Sequence, residues 1–126
     1  YIMSLNVLVV DDQDTNRFLI QEILTEMTDF CTVYQADSGK SCFKLLETQA
    51  IDLILLDILM PEMDGFEVAA QLKADEKNKD IPIIFLTAIF KDEMFVNKGF
   101  DIGAVDYMTK PVNPALLIEK ITTFNK

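Results

Sequence analysis

The chain has 126 residues, of which half are hydrophobic and a quarter are charged. This length suits one domain, and the apolar content is high enough to build a core, which excludes an intrinsically disordered chain. The 11 Lys and Arg residues against 21 Asp and Glu give a net charge of −10, which disfavours direct contact with nucleic acid or an anionic membrane. No apolar run approaches the length of about 20 residues that crosses a bilayer. We therefore expect a single cytoplasmic domain over residues 1–126, with its core between about residues 6 and 124.

Histidine and cysteine usage narrows the chemistry further. The chain contains no histidine, which excludes Ser/His and Cys/His nucleophile pairs and zinc sites built on histidine. Its two cysteines, Cys31 and Cys42, do not form a CxxC motif. We expect both to be small buried apolar residues in a reducing compartment.

Strand-like and helix-like segments alternate along the whole chain. Short β-branched apolar runs predict buried strands, and apolar residues spaced three and four apart predict helices. In chain order, the predicted elements are strand Asn6–Val10, helix Asp14–Met27, strand Cys31–Ala36, a helix from Gly39, strand Leu53–Leu56, helix Phe66–Lys73, strand Ile83–Leu86, helix Asp92–Asp101, strand Val105–Met108 and a helix after Asn113. This alternation predicts an α/β fold, in which helices cover both faces of a parallel sheet. Right-handed crossovers favour a doubly wound five-stranded sheet with strand order 2-1-3-4-5.

The carboxyl ends of four predicted strands carry charged or hydroxyl side chains: Asp11 and Asp12 after the first, Asp57 after the third, Thr87 after the fourth and Lys110 shortly after the fifth. In a parallel sheet these ends share one edge, where ligands bind in folds of this order. The sequence therefore predicts one small site that holds three carboxylates, a hydroxyl and an ammonium group.

The charges of this site predict its chemistry. Three crowded carboxylates repel one another unless cations join them, and Lys110 supplies only one positive charge. A hard divalent cation such as Mg²⁺, or Mn²⁺ in its place, suits an all-oxygen ligand set. A phosphoryl group would bring oxygens for the metal, for Lys110 and for the Thr87 hydroxyl. Asp57 stands alone at its strand end, so we predict that it is the nucleophile and that the product is an aspartyl phosphate.

Four motifs carry a resemblance to a known family: VLVVDD ending at Asp12, LLDILMPEMDG around Asp57, IIFLTA around Thr87, and DYMTKP from Asp106 to Pro111. In their order and spacing, the chain resembles the receiver domains of response regulators in two-component signalling, the superfamily of the chemotaxis regulators. The resemblance extends from about Asn6 to Phe124 and implies a flavodoxin-like (βα)5 three-layer sandwich.

The resemblance implies that Asp57 accepts a phosphoryl group from a phosphohistidine on a partner. That partner would be a sensor histidine kinase or a histidine phosphotransfer domain, and the full-length protein could add an output domain. Asp12 and Asp57 would ligate Mg²⁺ directly, Asp11 mainly through water, and the backbone carbonyl of Leu59 would be a further ligand. The chain would be a signalling domain, not an enzyme that turns over a separate substrate.

The resemblance also implies a switch. Thr87 would hydrogen-bond a phosphoryl oxygen and move towards it, while Lys110 would pair with another. Tyr107 would turn inward when Thr87 moves, and the Lys110–Pro111 peptide would be cis. The output surface would consist of the fourth helix, the fifth strand and the fifth helix.

Two apolar residues flank the predicted acceptor pocket in sequence. Leu59 lies two residues after Asp57, and Ile89 lies two residues after Thr87. Neither side chain can orient a hydrolytic water, so we predict slower self-dephosphorylation than in a variant with Asn at 59 and Glu or Gln at 89.

A haloacid-dehalogenase-type, Mg²⁺-dependent phosphatase is the alternative. Residues 12–15 read DQDT, which fits the DxDxT nucleophile motif of that superfamily and would use Asp12 and Asp14. Such an enzyme needs a further acidic pair after the lysine, and beyond Lys110 the chain has only Glu119. It would also leave Asp57 without a role.

Overall fold

Five parallel strands form the central layer of the computed structural model, which describes residues 4–88 and 93–124. The strands are β1 (Leu5–Val10), β2 (Cys31–Ala36), β3 (Leu53–Asp57), β4 (Ile83–Thr87) and β5 (Asp106–Thr109). Their order across the sheet is β2-β1-β3-β4-β5, which confirms the predicted doubly wound topology. The chain reverses its direction of travel between β1 and β3, so the ends of these strands flank the switch point where such folds bind ligands.

Five helices follow the strands: α1 (Asp14–Met27), α2 (Gly39–Leu46), α3 (Gly65–Ala74), α4 (Glu93–Ile102) and α5 (Pro114–Thr122). Local side chains cap three of them. Ser38 and Asp64 each accept a hydrogen bond from the third residue of the helix that follows, and Asn113 accepts one from the Leu116 amide. These bonds satisfy amides that have no partner within the first helical turn.

Alternate strand residues face opposite sides of the sheet and divide the core in two. Leu8, Ile54 and Phe85 face the side covered by α2, α3 and α4. Val9, Leu55 and Leu86 face the side covered by α1 and α5. All six side chains are fully buried, so the middle strands read as continuous apolar runs.

The boundaries differ from the sequence prediction by only one or two residues. β3 and β4 extend to Asp57 and Thr87 themselves, and β5 begins at Asp106 instead of Val105. Cys42 is buried and Cys31 is partly buried, and both are free thiols. None of the helices among residues 4–88 and 93–124 has both the length and the apolar content that a bilayer crossing requires.

Candidate functional site

Three carboxylates meet where β1 and β3 end. Each of Asp11, Asp12 and Asp57 offers an oxygen within 4.8 Å of the others. Asp11 and Asp57 are buried, and Asp12 is exposed. Asp11 is fixed on both sides, because its amide donates to the Ala36 carbonyl and its Oδ1 accepts from the Gln13 amide at 2.9 Å. The strands therefore bring together the acidic residues that the sequence predicts at this edge.

Lys110 reaches this acidic cluster from the end of β5. Its Nζ lies 2.8 Å from Asp57 Oδ1 and 2.9 Å from Asp11 Oδ2. The Lys110 amide donates to the Thr87 carbonyl at 2.9 Å, which ties the loop to the end of β4. The Lys110–Pro111 peptide is cis, as the resemblance implies.

Burial and charge act against each other at Asp57. Burial raises the pKa of this carboxyl to about 6, the Lys110 hydrogen bond opposes the rise, and the charges of Asp11 and Asp12 add to it. Burial alone would lower the pKa of the Lys110 ammonium, but its contacts with Asp57 and Asp11 outweigh burial and raise the pKa. One ammonium group thus partly offsets the mutual repulsion of three carboxylates.

The acidic cluster suits a hard cation. Asp11 Oδ2 is buried and makes no hydrogen bond within the described part of the chain. Its contact with Lys110 Nζ is close, but it is an ion pair without hydrogen-bond geometry. One ammonium group shared between two buried carboxylates leaves negative charge unbalanced, and a metal ion would supply the missing positive charge. The all-oxygen donor set and the exposed position of Asp12 fit Mg²⁺, which keeps several waters when bound.

An open cleft of about 380 Å³ lies above Asp57 and Lys110. Gln13, Asn16 and Leu59 are among the residues that line it, and 58% of the Leu59 surface is exposed. The cleft gives a small anionic group a direct path to the Asp57 carboxylate.

Thr87 and Tyr107 extend from the site towards α4. Thr87 ends β4, is buried, and lies beside Thr109 in the sheet register. The buried Tyr107 hydroxyl donates to the Val96 carbonyl of α4 at 2.9 Å. Its ring centre lies 5.4 Å from that of Phe85 in β4. Tyr107 therefore occupies an inward position between β4 and α4.

Comparison with known proteins identifies the family. The family model of the response regulator receiver domain matches residues 7–122. The chain belongs to the response regulator receiver domain family.

Relatives of this receiver domain are named for different activities, one as an enzyme and another as a transcriptional regulator. The chain is 40% identical over 93% of its length to a probable cyclic di-GMP phosphodiesterase of Vibrio cholerae, of which it covers 26%. It is 42% identical over 89% of its length to the alkaline phosphatase synthesis transcriptional regulatory protein PhoP of Bacillus subtilis, of which it covers 45%. The chain thus spans between a quarter and half of the length of these curated relatives.

A solved structure matches nearly the whole receiver domain. The chemotaxis protein CheY4 of Vibrio cholerae superposes with a TM-score of 0.88 at 26% identity, covering 96% of this chain and 98% of that one. This agreement in fold and size supports the flavodoxin-like architecture.

Asp14, which the alternative phosphatase would require, lies elsewhere. It is the first residue of α1, its side chain is 72% exposed, and it forms an ion pair with Arg17. It is not part of the cluster formed by Asp11, Asp12 and Asp57. Asp57, which the phosphatase motif leaves without a role, lies in that cluster, whereas the second acid of the phosphatase motif does not.

Sequence reasoning does not find three residues around the site of this receiver domain. Gln13, Asn16 and Arg17 lie around the acidic loop, but none of them stands directly at the end of a predicted strand. The sequence offers one signal for these residues, which is the short connection between β1 and α1: the helix begins only four residues after the strand ends. A helix that starts so soon places its first turn beside the end of the strand.

Proposed function

We propose that this receiver domain is a phospho-acceptor switch in which Asp57 takes a phosphoryl group from the phosphohistidine of a sensor histidine kinase or a histidine phosphotransfer domain. One observation carries the proposal: Asp57 is a buried carboxylate in contact with Lys110, next to two further carboxylates, at the floor of an open cleft. A purely structural role would not place so much like charge at one strand end.

In the proposed transfer, an Asp57 oxygen attacks the phosphorus atom. The new P–O bond forms as the P–N bond of the phosphohistidine breaks, and its electron pair returns to the imidazole nitrogen. Only ionised Asp57 can attack, and the Lys110 contact favours that form. Lys110 then pairs with a phosphoryl oxygen, so its charge follows the developing anion.

The carboxylates of Asp11, Asp12 and Asp57, with the Leu59 carbonyl, are the residues that would hold Mg²⁺ or Mn²⁺. The ion supplies positive charge for the phosphoryl oxygens when it is bound. Asp12 is the most exposed of the three acids, so an ion bound to its carboxylate could exchange with the solvent.

The proposed switch runs through Thr87 and Tyr107. The Thr87 hydroxyl would bind a phosphoryl oxygen and move towards it, and Tyr107 would then be held in the inward position, where its ring packs against Phe85 of β4. The output surface would be α4, β5 and α5. Such a response requires contacts that differ between the two states, and the new anion supplies them.

The wider context of the chain belongs to the same proposal. We take residues 1–126 as one receiver domain with a signalling role. Any activity of the full-length protein on a separate substrate would then reside in an output domain. The different names of the relatives support this separation. The net charge of −10 argues against direct contact with nucleic acid. A cytoplasmic location stays a prediction.

Intact mass after incubation with acetyl phosphate tests the proposal. We expect one added phosphoryl group that requires both Mg²⁺ and Asp57, so that Asp57→Asn and chelated samples gain none. Asp14→Asn is the matched control and should be phosphorylated like the wild type. Phosphorylation that survives Asp57→Asn but disappears in Asp12→Asn would contradict the proposal and restore the phosphatase alternative.

A further inference from the structure

Arg17 in α1 carries a charge that is nearly buried, although it does not touch a carboxylate of the acidic cluster in any described contact. Only 11% of its side chain is exposed. A guanidinium group in such a place requires acceptors for its five N–H donors. Arg17 finds acceptors on three different elements, so its position is defined by the fold.

The fork of Arg17 joins the end of β1 to β2 and to the start of α1. Nη1 donates to the backbone carbonyl of Asp11 at 2.6 Å, and Nε donates to Gln35 Oε1 at 3.0 Å. Nη2 donates to the Asp14 carboxylate. The bond to the Asp11 carbonyl is thus a short, charge-assisted hydrogen bond to the backbone.

That carbonyl belongs to the peptide group that connects Asp11 to Asp12. The other peptide group of Asp11 is fixed separately, because its amide donates to the Ala36 carbonyl at 3.1 Å. The Arg17 contact is thus the described interaction that sets the plane of the Asp11–Asp12 peptide. A rotation of this plane would move the exposed Asp12 carboxylate relative to the buried oxygens of Asp11 and Asp57.

We infer that Arg17 is a positioning residue for the divalent cation: by holding the Asp11 carbonyl, it orients the Asp11–Asp12 peptide so that the carboxylates converge on one ion. This inference rests on the proposed function, since it presumes that the acidic cluster binds Mg²⁺. Groups that orient metal ligands without touching the metal commonly change affinity by about 10- to 100-fold when they are removed.

The sign of the effect separates positioning from simple electrostatics. Arg17 is a cation close to a cation site, so removing its charge should strengthen Mg²⁺ binding if charge alone matters. Loss of the peptide orientation should weaken binding. The two explanations therefore predict opposite changes for the same substitution.

The test is calorimetric titration of the whole chain with MgCl₂, together with a thermal melt of each variant without Mg²⁺. We expect Arg17→Met to weaken Mg²⁺ binding by about tenfold. Arg17→Lys, which keeps the charge but not the planar fork, should lose about threefold. Asp14→Asn removes the ion-pair partner and leaves the bond to the Asp11 carbonyl, so it should stay within about twofold of the wild type.

Unchanged or tighter Mg²⁺ binding in Arg17→Met would overturn the inference, even if its melting temperature falls, because that result would assign Arg17 to stability alone. If Arg17→Met does not fold, Arg17→Lys decides, and wild-type affinity in that variant has the same meaning. Failure of the proposed function looks different: the wild type itself would then bind no Mg²⁺, and Asp12→Asn would not differ from it.

Discussion

Asp57, the proposed phospho-acceptor, opposes the stability of the fold around it. Its side chain is buried at the end of β3, although an ionised carboxyl is costly to remove from water. Lys110 compensates part of this cost, but the pKa of Asp57 still rises to about 6 because burial dominates. A neutral side chain of the same shape would avoid this conflict.

Asp57→Asn should therefore stabilise the protein in Mg²⁺-free buffer at pH 7.5. The rise in the Asp57 pKa already includes the Lys110 contact and corresponds to at most about 3 kcal/mol, which solvent screening reduces. We expect a net gain of about 1–2 kcal/mol in the free energy of unfolding, measured by urea denaturation. Asp101→Asn in α4, an exposed carboxyl, is the control and should change little.

The pH dependence of this gain has a definite sign. The pKa of Asp57 is about 6 in the folded chain and near its ordinary value when unfolded, so between about pH 4 and pH 6 the folded state binds more protons. The contribution of Asp57 to the free energy of unfolding of the wild type therefore falls as the pH rises through this window, and it is constant above it. The advantage of Asp57→Asn should shrink as the pH is lowered from 6 to 4, and an advantage that grows instead would contradict this explanation.

Leu59 should control the lifetime of the phosphorylated state. It lines the same cleft as Asp57, is exposed, and its side chain offers no polar group to hold an attacking water. Ile89, the other flanking residue of the sequence prediction, lies outside the described residues. We expect Leu59→Asn, alone or with Ile89→Gln, to shorten the half-life of the phosphorylated protein by about tenfold.

Loss of the phosphoryl mass over time measures this half-life. Leu59→Met, which stays apolar, is the matched control and should keep the wild-type rate. Equal half-lives for Leu59→Asn, its double variant and the wild type would show that the two flanking residues do not limit hydrolysis.

At the scale of elements, α4 and β5 meet at a point where only glycine fits. A Cβ atom on Gly99 would overlap the Tyr107 hydroxyl and would lie 2.8 Å from Phe85 Cε2. Gly99 thus leaves the space in which the Tyr107 ring lies beneath the helix. If Tyr107 moves during signalling, the packing of α4 must change with it.

Gly99→Ala should destabilise the chain, although alanine favours helices by about 1 kcal/mol over glycine. We expect the overlap with Tyr107 to outweigh that gain and to cost about 1–3 kcal/mol. In a Tyr107→Ala background the same substitution should cost much less, because the overlapping ring is gone. A double-mutant cycle by urea denaturation measures this coupling, and equal costs in both backgrounds would contradict the packing explanation.

Sequence patterns predict these elements well because each pattern is local. Apolar runs such as Ile83–Leu86 and capping signals such as Asn113-Pro114 need no knowledge of distant residues, so the strands and most helix ends are found from them. The position of Asp57 follows as well, since parallel strands end at one edge. In the sequence, Gly99 is only a residue that disfavours the helix around it. The need for glycine there comes from the close approach of Tyr107, which lies on another element.

The same limit applies to the site. The convergence of three carboxylates and Lys110 follows from strand order, which the βα pattern supplies. The Arg17 contact with the Asp11 carbonyl does not follow, because it depends on the rotation of α1 about its axis. Helix caps are hydrogen bonds between neighbouring residues and leave a local signal, but a side chain that bonds to the backbone of another element leaves almost none.

At the scale of the whole molecule, ion binding and folding should be linked. The acidic cluster exists only when β1 and β3 are paired, so an ion that binds it stabilises the folded state. With Mg²⁺ at about 100 times its dissociation constant, we expect the free energy of unfolding to rise by about 2.7 kcal/mol over the value in EDTA. Asp12→Asn should lose most of this gain. An equal rise in both proteins would indicate a general salt effect.

Chemical trapping of the acyl phosphate tests the central claim most directly. Borohydride reduces an aspartyl phosphate to homoserine, so peptide mapping of the phosphorylated and reduced chain reports which carboxyl carried the phosphoryl group. We predict homoserine at position 57 alone, and only in samples phosphorylated with Mg²⁺ present. Homoserine at position 11 or 12, with Asp57 intact, would contradict the account.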